Sequence, residues 1–152
     1  MKKRMYLASL GVLLAIGIGS PVSAQTNLAL NRPATASSSE NAGTTANLAV
    51  DGNTGTRWSS AFSDPQWIQV DLGASHAVSR VVLTWEAAYA RAFQLQTSTD
   101  GTTWTSIYST TTGAGGVQDL AVNGTGRYVR MNGTTRATPY GYSLFEFQVY
   151  GT

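Results

Sequence analysis

The sequence predicts an all-β fold: an antiparallel jelly-roll sandwich of roughly eight strands. Two observations carry this. Apolar or alternating runs of strand length recur along the chain, most of them closed by a turn signal such as Asp100-Gly101 or Asn123-Gly124, and strands at that spacing mark sandwiches and barrels. Helical signals are confined to one short stretch, Thr44 to Val50.

The first segment is set aside before the composition is read. Lys2, Lys3 and Arg4 precede an apolar run from Leu7 to Ile18, and Val22-Ser23-Ala24 is a small-residue cleavage pattern. This is a secretory signal peptide over residues 1–24, too short and too broken by Gly17, Gly19 and Pro21 for a membrane anchor. Cleavage near Ala24 implies secretion. The full chain carries ten Lys and Arg against eight acids; without the leader, seven arginines and no lysine remain, and the formal charge falls from +2 to −1. Net charge therefore gives no support for a nucleic-acid partner or an anionic membrane surface. Residues 25–152 fit one domain. With no cysteine, a secreted domain must be held by its core, a metal, or both.

In chain order, Asn27 to Ala36 reads as a first strand that Pro33 confines to an edge. Thr44 to Val50 reads as one helical turn with a threonine cap and with Leu48 and Val50 facing inward. Trp67 to Leu72 alternates up to Gly73, and His76 to Trp85 is a long central strand. Phe93 to Ser98 turns at Asp100-Gly101 into Trp104 to Thr110, the clearest hairpin of the chain. Val117 to Val122, a turn at Asn123-Gly124, Arg127 to Met131 and Leu144 to Tyr150 complete the set. Most of the four tryptophans, Trp58, Trp67, Trp85 and Trp104, are expected in the core.

Function is expected on the loops, which the sheets hold in fixed positions. Ser37 to Ala46 carries Glu40, Ser59 to Pro65 carries Phe62, Glu86 to Arg91 carries Glu86 and Tyr89, and Asn132 to Ser143 carries Tyr140 and Tyr142. A nucleophilic triad is excluded by one isolated histidine, His76, and the lack of a nucleophile-elbow motif. A histidine- or thiolate-based zinc site lacks ligands. Glu40 and Glu86 are the one loop pair that invites glycosidase chemistry.

Asp51-Gly52-Asn53-Thr54-Gly55-Thr56 concentrates side-chain oxygens on a loop that glycine lets turn tightly, the chemistry a hard cation such as calcium requires. Glu146, between Phe145 and Phe147, is the candidate to complete the shell, since an unpaired carboxylate in apolar surroundings is costly. Pairing of Glu146 with Arg57 or Arg130 is the alternative, with Asp51-Gly52 an ordinary turn. A tyrosine at 140 or 142 stacking on a pyranose ring, with Arg57 and Glu86 bonding hydroxyls, makes a sugar site.

Asn27 to Ser38 (NLALNRPATASS), Ala49 to Trp58 (AVDGNTGTRW), Trp67 to Gly73 (WIQVDLG) and Glu146 to Gly151 (EFQVYG) resemble the coagulation factor V/VIII type C, or discoidin, superfamily, in order and across nearly all of residues 25–152. The resemblance implies an eight-stranded galactose-binding-like jelly roll. Within the superfamily, Trp85 to Ala90 and Thr138 to Leu144 are similar to bacterial carbohydrate-binding modules of family 32, including modules attached to chitosanases and glucanases. It implies a structural calcium on Asp51, Asn53, Thr56 and Glu146, with backbone carbonyls near Ala49 and Phe145. It also implies a ligand site of Glu40, Arg57, Glu86 and Tyr140 or Tyr142. Ser59 to Phe62 lacks a further acid present in some chitosan binders, which raises a neutral β-glucan as a ligand beside chitosan. His76 lies outside the loops where galactose binders use histidine.

The expected function is thus a non-catalytic, secreted module that binds chain ends of a polysaccharide or oligosaccharide, working with a polysaccharide-degrading enzyme. A phospholipid-binding discoidin domain and a small glycoside hydrolase are the alternatives.

Overall fold

Burial alternates along the chain with a period of two: Ile68, Val70 and Leu72 are buried, whereas Trp67, Gln69 and Asp71 are not. Only an extended strand with one face on a core gives that pattern. In the computed structural model, which describes residues 24–152 together with Gly19, such segments form seven strands. The predicted signal peptide, Gly19 and Ala24 apart, lies outside the described residues. The strands are β1 (Ala34–Ala36), β2 (Trp58–Ser59), β3 (Gln66–Trp85), β4 (Ala90–Ser98), β5 (Thr105–Thr110), β6 (Val117–Arg136) and β7 (Ser143–Gly151), with one 3₁₀ turn at Ala46–Ala49.

All pairings are antiparallel, and β3 and β6 each run through both layers. The first part of β3 pairs with β1 and with Tyr128 to Gly133 of β6, and the last part of β6 pairs with β4, which pairs with β5. Beyond a register shift between Asp71 and His76, β3 continues against the first part of β6 and against β7, which carries β2 at its edge. Ile68, Phe93, Leu95 and Met131 from one layer and Val81, Leu83, Leu144 and Phe147 from the other fill a single core. This is the antiparallel, almost helix-free jelly-roll sandwich that the sequence predicts.

Local differences have local causes. Two pairs of predicted strands are continuous, because β3 and β6 change layer through bulges, which bend a strand without ending it. Asn123-Gly124 accordingly lies inside β6, with Gly124 opposite Val78. The predicted first strand is reduced to β1. Its earlier half turns instead, with Asn31 in the left-handed region at φ 56° and its N–H bonded to Val50 O at 2.7 Å. Pro33 does border an edge strand. Trp58 and Trp85 are core residues, but Trp67 and Trp104 are not. They stand on outward positions and enclose the Arg130 guanidinium, whose Cζ is 4.4 and 3.9 Å from the two ring centroids. That cation–π contact covers one face of each indole, and both stay half-buried.

Gly133 lies in β6 directly under the ring of Tyr142, so close that a Cβ would overlap it. Gly133→Ala is expected to destabilise the domain by about 1–3 kcal/mol, the usual penalty for overpacking. Urea unfolding measures it; an unchanged midpoint would mean that the Tyr142 segment shifts without penalty.

Candidate functional site

The pairing of β2 with β7 sets Ser59 opposite Ser143 and brings four loops to one end of the sandwich. Glu86 N–H donates to Ser143 O at 3.0 Å, and Ser143 N–H to Ala88 O at 2.8 Å, which fixes the loop after β3. Glu40 N–H donates to Ser59 O at 2.7 Å, which fixes the first loop. The result is a cleft of about 340 Å3 lined by Glu40, Arg57, Phe62, Glu86, Thr138 and Tyr140, among others. Four residues named from sequence, Glu40, Arg57, Glu86 and Tyr140, therefore meet in one place.

Arg57 is held by neutral groups: its Nη1 donates to Ser143 Oγ at 2.8 Å and Ser59 Oγ at 3.0 Å. Glu86 Oε2 accepts from Ala88 N–H at 3.1 Å and stands 3.9 Å from Arg57 Nη1. The two side chains are 37% and 30% exposed, so their attraction is screened and both keep hydrogen-bonding capacity for a ligand. Two carboxylates around one guanidinium leave the cleft with a net negative charge. Across it, Phe62 and Tyr140 are 50% and 63% exposed and meet edge to face, with centroids 5.8 Å apart and planes at 86°. An exposed aromatic pair beside charged hydrogen-bonding groups can stack on a ring and orient its polar substituents.

Tyr142 does not join them, which corrects its expected place among the ligand-facing residues. It is fully buried, its N–H donates to Ser60 Oγ at 2.8 Å, and its hydroxyl donates to Asp64 Oδ1. Burial, then the Asp64 hydrogen bond, push its phenol well above the usual value. Tyr140 and Tyr142 lie in an irregular segment before β7 rather than in a strand, so residues two places apart need not share a face; between them Gly141 passes so close to Ser60 and Ala61 that no side chain fits there. Phe62 was visible in sequence only as a loop aromatic. Asp64 and Arg136, which brace this end of the site, carry no motif that could have singled them out.

The oxygen-rich loop lies beside the last strand. Asp51 Oδ2 accepts from Thr56 Oγ1 at 2.6 Å and Oδ1 from Asn53 N–H at 2.9 Å. Burial opposes ionisation of Asp51, but these hydrogen bonds outweigh it and hold its carboxyl below the ordinary value. Glu146 is 1% exposed, and neither of its oxygens has a hydrogen-bond partner. Burial foremost, then the facing Asp51 carboxyl, push its carboxyl up to about 7. The arginine alternative fails, since Arg57 is engaged with Ser59 and Ser143 and Arg130 with Gln69. Ala49 ends the 3₁₀ turn just before the loop, and Phe145 precedes Glu146 in β7. Among the described residues no three His, Cys, Asp or Glu side chains converge, so a cation here would rely on neutral oxygens besides the two carboxylates. Orphaned, buried carboxylate oxygens beside asparagine, threonine and backbone oxygens fit a calcium ion.

Fold and loop-end cleft together define a discoidin-type β-sandwich module. The chain belongs to the F5/8 type C domain family, whose profile matches residues 33–147. It is similar to chitosan-binding module 1 of a chitosanase/glucanase from Paenibacillus sp. IK-5, with 57% identity and a TM-score of 0.81 over 83% of this chain and 99% of the module. Chitosan-binding module 2 of the same enzyme, solved with chitotriose, is 51% identical with a TM-score of 0.81 over 82% of this chain and all of the module. A CBM32 module from Clostridium perfringens, 20% identical with a TM-score of 0.74 over 84% of this chain and all of the module, shares the fold. A polysaccharide lyase 8 family protein, HylA, of Enterococcus faecalis is 40% identical over 68 residues, which are 45% of this chain and 5% of that protein.

Ser60 joins the loops beneath the aromatic pair. Its N–H donates to Tyr142 O at 2.9 Å, and its hydroxyl takes the Tyr142 N–H. Ser60→Ala is expected to leave that buried N–H unpaired and to reduce unfolding free energy by about 1–3 kcal/mol, read from denaturant curves. A loss well below that range would show that water replaces the hydroxyl.

Proposed function

We propose that this protein is a non-catalytic, secreted carbohydrate-binding module that takes chain ends of chitosan or glucosamine oligomers, or of a β-glucan, and is stabilised by a structural calcium. One observation carries the reading: the cleft sets Glu40, Glu86 and Arg57 against the exposed Phe62–Tyr140 pair. Carboxylates suit an amino sugar that is partly cationic near neutral pH, the guanidinium suits ring hydroxyls, and the tyrosine face suits the apolar side of a pyranose. The similarity to a module solved with chitotriose supports this ligand class. A cleft at the small end of ligand pockets favours a terminal residue over the middle of a chain.

Glu40 and Glu86 serve here as binding groups rather than as an acid and a nucleophile. Each polar contact in so open a site contributes little, so affinity on the order of micromolar to millimolar is expected. Retention on a polymer then draws on repeated engagement, or on a polysaccharide-degrading enzyme tethered to or acting beside the module.

The test is retention on chitosan, laminarin and a galactoside in affinity electrophoresis. Chitosan or laminarin is expected to retard the protein, and Glu86→Gln and Tyr140→Ala each to weaken binding roughly tenfold. No retardation by any of the glycans would remove the reading. The exposed Phe62 and Tyr140 rings also support a second reading, insertion into a lipid surface, which sedimentation with phosphatidylserine vesicles would reveal. Reducing-sugar release from the same oligomers would point to a hydrolase.

Asp51, Asn53, Thr56 and Glu146, with carbonyls near Ala49 and Phe145, would hold the calcium. Bound there, the ion would supply the positive charge that the Asp51–Glu146 pair lacks, tying the early loop to β7. Chelator is expected to lower the melting temperature by roughly 5–10 °C, and Glu146→Gln to abolish that difference. Identical melts with and without chelator would rule the ion out.

A further inference from the structure

We propose that Arg136 and Asp64 form a clamp that fixes the Phe62–Tyr140 wall of the cleft in its binding geometry before a ligand arrives. The proposal rests on the carbohydrate-binding reading of the cleft and assigns positioning residues to it. Arg136 ends β6 and Asp64 lies in the loop that carries Phe62, 72 positions away in sequence. Arg136 Nε donates to Asp64 Oδ1 at 3.2 Å, and its Nη1 donates to Pro139 O at 3.1 Å, with a longer approach of 3.4 Å to Tyr140 O. One guanidinium thus holds the backbone on which Tyr140 stands and the loop on which Phe62 stands. Asp64 is in turn fixed from below by the hydroxyl of the buried Tyr142.

The arrangement suits guanidinium chemistry. A planar fork engages a carboxylate and two carbonyls in fixed relative directions, which an ammonium group does not. The side chains of the pair are 24% and 33% exposed, so the ion pair itself adds little stability; what it supplies is direction, through the hydrogen bonds to Asp64 and Pro139. The two rings lean on each other edge to face, and Tyr140 is the most exposed large aromatic of the described residues. Rings on unbraced loops would have to be ordered at the moment of binding, and that ordering would be subtracted from affinity. Neither Arg136 nor Asp64 lines the cleft, so the clamp acts on the ligand through Tyr140 and Phe62.

Amide exchange and a double-mutant cycle test this together. In Arg136→Met, which keeps the stem and removes the donors, the Tyr142 amide, bonded to Ser60 Oγ, is expected to exchange about tenfold faster while the strand amides stay unchanged. Affinity for chitotriose, measured by calorimetry, is expected to fall about tenfold in an otherwise natural chain and to change little when Arg136→Met is added to Tyr140→Ala. Arg136→Lys should recover part of the loss. Should Arg136→Met not fold, Asp64→Asn, which keeps an acceptor for Tyr142, is expected to shift exchange and affinity in the same directions. Unchanged loop exchange, or an equal loss of affinity in both backgrounds, overturns the clamp. If the natural protein binds no chitotriose, the carbohydrate reading is what fails, and the exchange comparison still decides the clamp.

Discussion

The structure depends on the pairing of β3 with β6, which continues from Gln66 opposite Gly133 to Thr84 opposite Val117 and passes from one layer into the other. Two separate sheets would need loops to hold them in register; two strands shared by both layers fix the layers covalently. Every other strand then attaches to one of these two, or to a strand that does. The bulges near Asp71 to His76 and Val78 to Arg80 are the points where the ladder gives up regular pairing to bend. Because the bend lets both layers bury their inward residues in one core, a domain without disulfides has enough apolar burial to stand, and its loop ends are free to carry chemistry.

Charge is placed with the same economy. Asp71, Asp119 and Asp64 each meet an arginine, and Asp100 caps its own turn through the N–H groups of Thr102 and Thr103. Such pairs sit at the surface and add little stability individually. Glu86 is different, since its arginine stands off at 3.9 Å and is bound to serines instead. Glu146 is different again, since it is buried against another carboxylate. Of the eight acids, Glu40 and Glu86 at the cleft and Glu146 beneath the oxygen-rich loop are left with unused carboxylate oxygens, which is the capacity that the proposed ligand and ion would take up.

Much of this was legible in the sequence, and the limits are physical. Alternation located most of the strands, because a one-residue slip would invert every side chain of Trp67 to Leu72. It could not tell a bulge from a turn at Asn123-Gly124, since the same residues serve both and only the partner strand decides. The cleft residues Glu40, Arg57, Glu86 and Tyr140 were legible because polar and aromatic side chains on loops have few structural uses. Tyr142 misled for the same reason: loop composition surrounds it, and its burial is set by Gly133 and Ser60, 9 and 82 positions away in sequence. Trp67 and Trp104 misled because a base rate for tryptophan takes no account of an arginine placed to cover them. Arg136 was invisible, because a lone charge at a strand end has no pattern and its meaning lies wholly in Asp64.

Shallow sites are limited by what they must order. An open cleft with two acids, one guanidinium and two rings cannot exclude water as a deep pocket does, so each contact is made at close to its aqueous value. What such a site can vary is how much freedom is lost on binding. Arg57 is held by two serines, Glu86 by the Ala88 N–H, and the aromatic wall through Arg136, Asp64 and Ser60. The groups that face the ligand are thus few, while the residues that keep them still extend into β2, β6 and β7. The rigidity of the sandwich, more than the number of contacts it offers, is therefore what this fold contributes to recognition.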